Sequence, residues 1–191
     1  MSALFSIGHS RHPLERFLAL LRQHRVQVVA DVRSQPYSRH APQYNRKALE
    51  RALLDGGLRY LFLGVELGGR PEGDEFYDLD GHVLYGKVAA SAPFHAGIRH
   101  LQRGEKRFRV AILCSEEEPT SCHRRLLIGR VLAVRGVELR HIRGDGRLEA
   151  EADLERAPSR QVPLFREPEE EAWRSTRSVS RRGAPASSSQ R

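Results

Sequence analysis

The chain has 191 residues, with 32 Lys and Arg against 24 Asp and Glu, a formal net charge of +8, a pI near 10.2 and two cysteines. That length suits one domain with an appendage, and a mean hydropathy of −0.54, with no apolar run near the roughly 20 residues needed to cross a bilayer, excludes a membrane-spanning helix. Two cysteines exclude a disulfide framework, and the opening Met1-Ser-Ala-Leu-Phe-Ser-Ile-Gly8 lacks the basic start and cleavage site of a secretory signal, so the expected compartment is the cytoplasm with no membrane partner.

The apolar run 3–7, closed by Gly8-His9-Ser10, predicts a strand and a turn. Leu14, Phe17, Leu18 and Leu21 then recur at helical spacing, with Pro13 suited to a first helical turn. Residues 26–32 read as a buried strand containing Asp31, followed by a polar loop and a helix over 47–54 that Gly56-Gly57 stops. Residues 58–63 give a third strand. From 64 to 86 the chain is rich in Gly and Asp without periodicity, which marks a functional or mobile loop. A helix over 93–102, the strongest strand at 108–114, a polar turn over 115–121, a helix over 122–135 and a fifth strand at 137–142 complete the series. The alternation predicts an α/β fold: an open, mostly parallel five-stranded sheet with helices on both faces, Rossmann-like and three-layered. The domain is expected over 1–150, and residues 151–191, rich in Pro, Ser, Arg and Glu, read as a flexible, disordered tail.

Of the net charge, +7 falls within residues 1–150, and 29 of the 32 cations are Arg, which suits bidentate phosphate binding and equally suits a GC-rich genome. In open parallel sheets ligands bind beyond the carboxyl ends of the strands. That rule gathers His9, Ser10, Asp31, Arg33, Glu66 and residues 114–116 along one edge. Gly8-His9-Ser10 can cradle an anion with backbone N–H groups, or His9 can simply cap a helix. Asp31-Val-Arg33 is either a structural ion pair or a water-activating carboxylate beside a phosphate ligand. Arg33, Arg39, Arg46 and Lys47, interleaved with Tyr37 and Tyr44, form either a nucleic-acid groove or a solvated loop.

The densest cluster runs from Leu113-Cys114-Ser115-Glu116 to Cys122-His123-Arg124-Arg125. A zinc site from Cys114, Cys122 and His123 has a spacing that matches no common finger, and adjacent Cys and His rarely serve one ion. A phosphatase or rhodanese loop after Cys114 meets Thr120 where an Arg belongs. In a third reading, Cys122, His123 and Arg124 open a helix into the cleft and hold a phosphate or a base edge while Glu116 or Asp31 handles the proton. Two buried cysteines with a structural His is the plain alternative.

Together, Ser6-Ile-Gly-His-Ser10, Asp31-Val-Arg33, Pro36-Tyr-Ser38, Leu63-Gly64 with Leu67-Gly-Gly69, and Leu113-Cys114 running to Cys122-His-Arg124 resemble a bacterial and archaeal family, domain of unknown function 488 (DUF488), over about residues 3–145. The resemblance implies an α/β domain and a DNA-modification or repair setting, including removal of 5-hydroxymethyluracil. In the tail, Gln161-Val-Pro-Leu164-Phe165 looks like the Gln-x-x-Leu-Phe peptide that docks on the bacterial sliding clamp, although Val162 and Pro163 depart from its usual residues. The expected function is a DNA-associated enzyme of DNA-glycosylase type that hydrolyses the N-glycosidic bond of a modified base. Asp31, Glu116, His9 and His123 are its candidate catalytic residues. Ser10, Arg33, Tyr37, Arg39, Tyr44, Cys122 and Arg124 are candidate phosphate or nucleic-acid ligands, and Gln161, Leu164 and Phe165 candidate clamp-docking residues. DNA and the clamp are the expected partners, with no metal and no cofactor required. A non-catalytic nucleic-acid-binding module and a cysteine-dependent enzyme on a small phosphorylated substrate stand as alternatives.

Overall fold

The strongest apolar runs in the sequence become the centre of a sheet. In the computed structural model, which describes residues 4–156 and 173–179, β1 (Leu4–Gly8) and β4 (Val110–Cys114) are buried along their whole length and lie side by side. Strands covered on both faces need apolar side chains in both directions, and here the two directions feed two separate cores. Ala111 and Leu113 of β4 join Phe5, Ile7, Phe17, Leu20 and Leu21 on one face; Val110 and Ile112 join Phe94, Ile98, Leu127 and Ile128 on the other.

The sheet has six strands in the order β3-β2-β4-β1-β5-β6, with β2 at Val28–Asp31, β3 at Arg59–Phe62, β5 at Leu139–Ile142 and β6 at Leu148–Ala150. All neighbours are parallel except β5 and β6. The α/β, mostly parallel open sheet expected from the sequence is therefore present, with one antiparallel edge strand more than expected. Helices α1 (Leu14–Gln23) and α2 (Arg46–Asp55) bury their apolar stripes on the first core. Helix α5 (Ala92–Glu105) covers the second, its first turn set by Ser91, whose side chain accepts from the Phe94 N–H, and by Pro93. After β4 the chain enters a π-helix, Arg124–Gly129, that runs directly into α6 (Arg130–Val134).

Two stretches differ from expectation. The unpatterned segment 64–86 is ordered into the short helix α3 (Gly64–Leu67), a 3-10 turn at Asp74–Phe76 and the start of α4 (Tyr85–Ala90). The expected tail begins instead with α7 (Glu151–Arg156), and its residues 173–179 return to the domain. Ser175 N–H donates to the Val83 carbonyl at 2.9 Å, Trp173 Nε1 donates to the Leu126 carbonyl at 2.8 Å, and Arg130 stacks 4.6 Å over the Trp173 ring. Arg174 pairs with Asp78 at 2.6 Å. Gln161, Leu164 and Phe165 lie outside the described residues. Among the described residues no helix is long and apolar enough to cross a membrane.

Candidate functional site

The carboxyl ends of β2 and β4 open on a cavity of about 390 Å³. Arg33, Ser34 and Gln35 follow β2 into its wall; Cys114, Ser115 and Glu116 line it at the end of β4; Ser121, Cys122 and His123 come from the turn before the π-helix. Gly69, Arg70 and Tyr85 close one side, and Ser175, Thr176, Arg177 and Val179 of the returning segment close another. Of the residues gathered by the sheet-edge rule, Arg33, Cys114, Ser115 and Glu116 line this cavity and His9, Ser10, Asp31 and Glu66 do not, while Arg70, Tyr85 and Arg177 are lining residues that sequence reasoning missed. Arg70 sits in an aperiodic loop, and the sole signal for the 173–179 wall is Trp173, the one Trp of the chain.

Close packing of the loops explains two of the glycines. At Gly8 a Cβ would run into the backbone of Glu116, and at Gly69 it would lie 2.8–2.9 Å from Cγ and Nδ1 of His123. Loop 115–118 is further held by Arg124, which is 1% exposed. Its guanidinium donates to the Glu116 carbonyl, to the Glu117 carbonyl at 2.5 Å and, through Nε, to Ser6 Oγ at 3.3 Å. Ser6 in turn contacts His141 Nδ1 at 2.6 Å, and His141 Nε2 lies 3.2 Å from Glu151. Arg124 therefore does not present its charge to the cavity as a phosphate ligand; it is the clamp on the loop that carries Glu116.

Asp31 is fully buried and also absent from the lining. Its Oδ1 accepts from Arg33 Nε at 2.9 Å and from the Arg33 backbone N–H at 3.1 Å; its Oδ2 accepts from Arg33 Nη2 at 2.6 Å and from the Tyr60 hydroxyl at 2.8 Å. With both oxygens engaged, Asp31 positions Arg33 rather than activating water. Burial, then the Asp31 charge, pushes the Tyr60 hydroxyl up, so it remains a donor. His9 completes this layer behind the cavity: Arg33 Nη1 lies 3.2 Å from its Nε2, and its Nδ1 donates to the Ser10 carbonyl at 2.8 Å. Its ring stacks on Tyr44 at 4.1 Å, and the Tyr44 hydroxyl donates to the His12 carbonyl. His9, Ser10 and Tyr44 are thus supports of Arg33 and its loop and do not line the cavity; Arg39 is exposed outside it. Tyr37, 71% exposed, stands at the rim.

Burial and, next, the Arg33 guanidinium hold His9 down from its ordinary 6.5 to about 4. The folded protein therefore keeps His9 neutral where the unfolded chain would protonate it. Stability from this source is complete above pH 6.5 and falls by about 3 kcal/mol as the pH drops through that value to about 4. Urea denaturation at about pH 7.5 and about pH 4.5 should show that loss in the wild type and much less of it in His9→Gln. Equal losses in the two proteins would refute the assignment.

On the cavity floor, Cys114 Sγ and Cys122 Sγ lie 3.7 and 3.8 Å from His123 Nδ1. His123 Nε2 is 3.2 Å from the Val32 carbonyl, which can only accept, so Nε2 carries the proton and the Nδ1 lone pair faces the sulfurs. The Cys114 thiol is held well below its ordinary range, first by the hydrogen bond from Cys122 and also by the Arg124 charge, against the opposing effect of burial. Cys122 moves the other way as the donor of that bond and through burial. A second group of metal-ligand type, Asp78, Asp80 and His82, lies in the turn that Arg174 pins, away from the cavity.

No curated protein and no solved structure matches the chain. The family described as domain of unknown function DUF488 matches residues 13–131. That stretch contains Arg33, Arg70, Tyr85, Cys114, Glu116, Cys122 and His123, but not the 173–179 wall. It spans more than half of the chain, and the protein therefore belongs to the DUF488 family.

Proposed function

We propose that the protein is a hydrolase acting on a modified nucleotide of DNA, releasing the base by hydrolysis of its N-glycosidic bond in the setting of base repair. The observation that carries this reading is the convergence in one cavity of Glu116 with the exposed Arg70 and Arg177, while Arg33, its guanidinium taken up by Asp31 and His9, shapes the wall. Arginines favour the phosphates on either side of an extruded nucleotide, and the hydroxyl and amide groups of Gln35, Ser115 and Ser121 offer partners for a base edge. The cavity falls within the roughly 300–1,000 Å³ usual for ligand sites. Tyr37 at the rim presents a ring on which a neighbouring base can stack, and the positive charge of residues 1–150 favours a polyanion.

In this chemistry water oxygen bonds to the sugar C1′ while the C1′–N bond breaks, its electron pair leaving with the base, which takes up a proton. Glu116, a carboxylate of the cavity lining, receives the proton of the attacking water, the role that Asp31 cannot fill from its ion pair. A panel of oligonucleotides carrying different modified bases, read by abasic-site formation, should yield product from at least one. Glu116→Gln should lower that release by about 100-fold or more while changing oligonucleotide affinity little. If no oligonucleotide gives an abasic site, the hydrolase reading fails. The lowered Cys114 thiol at the cavity floor favours a second reading, cysteine-dependent chemistry on a small phosphorylated substrate, which that outcome would promote.

A further inference from the structure

Two thiols and an imidazole meet at the cavity floor, and the two sulfur-to-nitrogen separations match one coordination geometry. In a tetrahedral site with metal–sulfur bonds of about 2.3 Å and a metal–nitrogen bond of about 2.0–2.1 Å, sulfur and nitrogen stand about 3.6 Å apart. The observed contacts from His123 Nδ1 to Cys114 Sγ and Cys122 Sγ are 3.7 and 3.8 Å, and all three atoms lie within 4.8 Å of one another. We propose that Cys114, Cys122 and His123 bind a divalent cation of the zinc class through two thiolates and one imidazole, leaving a fourth coordination position open to the cavity.

The surroundings suit an ion. The donated hydrogen bond from His123 Nε2 to the Val32 carbonyl fixes the ring with Nδ1 as the free donor atom, the outer-shell contact that metal-binding histidines characteristically make. Cys114 ends a central strand, and Cys122 and His123 sit in the turn that leads into the π-helix, so all three are carried by ordered elements. Gly69 lets its loop lie against the His123 ring. Binding requires both sulfurs as thiolates, so whatever proton either still carries leaves to solvent, and two thiolates with one dication bring no net charge into the interior. The sequence spacing argued against this site because Cys122 and His123 are adjacent. The structure removes that objection: the bond to Val32 turns the His123 ring so that its Nδ1 faces both sulfurs.

Three protein ligands on a four-coordinate ion mark a site that keeps a place for water or substrate. In the hydrolase reading, on which this last point rests, that place holds the attacking water; the metal site itself stands on geometry alone.

Cobalt(II) is the probe. Added anaerobically to the reduced, chelator-treated full chain, it should bind at about one equivalent, giving a sulfur-to-cobalt charge-transfer band and the intense visible bands of four-coordination. Zinc should abolish the spectrum by displacement. Cys114→Ser and Cys122→Ser should each weaken the charge-transfer band, whereas Asp78→Asn should keep the wild-type spectrum. Thermal unfolding of the metal-free variants separates ligand loss from misfolding, and for any variant that fails to fold, competition between cobalt and alkylation of the wild-type thiols replaces it. A reduced chain with two free thiols and no charge-transfer band overturns the proposal, as does a band unchanged in Cys114→Ser. Stoichiometric metal without base release supports the site and defeats the hydrolase; base release that survives complete chelation, without a cobalt spectrum, does the reverse.

Discussion

Asp31→Ala should lower the free energy of unfolding by about 3–5 kcal/mol, because it strands the Arg33 guanidinium in the interior. Arg33 is 5% exposed, and the two carboxylate oxygens of Asp31 accept two bonds from its guanidinium and one from its backbone N–H. After the substitution the Tyr60 hydroxyl also loses its acceptor, and the one neighbour left to Arg33 in this layer is His9, a neutral ring. Asp31→Asn tests shape against charge: it keeps the volume and part of the hydrogen bonding, so it should fall between Ala and the wild type. Urea denaturation with an unchanged m-value reads the effect, and a loss below about 1 kcal/mol in Asp31→Ala would show that the pair is dispensable. Since Arg33 lines the cavity, oligonucleotide affinity should fall in Asp31→Asn as well, which distinguishes a positioning residue from a water-activating one.

The second large effect belongs to Arg124. Replacing it with Met, of similar length and without charge, should cost about 3 kcal/mol, since the carbonyls of Glu116 and Glu117 lose charged donors while loop 115–118 stays packed. Amide hydrogen exchange across residues 115–118 should rise in step, and activity should fall further than stability alone explains because Glu116 is no longer held. Arg124→Lys keeps a charge but cannot span both carbonyls with a planar fork, so it should recover part of the stability and little of the loop protection. Unchanged exchange in Arg124→Met would remove Arg124 from its clamping role.

Much of the fold was legible because parallel strands covered on both faces must be nearly continuous in apolar residues, as 110–114 are. The strand at Leu148–Ala150 was not, since three residues at an antiparallel edge, one of them Glu149, carry no pattern. Helix α3 is a single turn and falls below the length at which periodicity can be read. The site divides in the same way. Strand-end logic brought Arg33 and residues 114–116 to an edge where they do line one cavity, but it also brought His9, Ser10, Asp31 and Glu66, which do not; Cys122 and His123 came from reading a helix start into the cleft. What residue spacing could not supply is direction: Asp31 and Arg33 were placed on the same side correctly, but that the guanidinium folds back onto its own carboxylate depends on Tyr60 and His9, 29 and 24 residues away. Arg124 misled for a related reason. An Arg at a helix entrance is ordinarily solvated, and its burial follows from Ser6 on β1, a polar residue in an otherwise apolar strand that supplies an acceptor where a larger apolar side chain would fill the space.

The wall formed by residues 173–179 has a different standing from the floor it faces. It meets the domain through two main-chain bonds, Ser175 to Val83 and Val179 to Gly81, and through the side chains of Trp173, Arg174, Ser175 and Thr176. This segment lies outside residues 13–131, the stretch that the family model matches. Arg177 lines the cavity from an exposed position outside both cores, so exchanging it should change what the cavity binds and leave the packing beneath undisturbed.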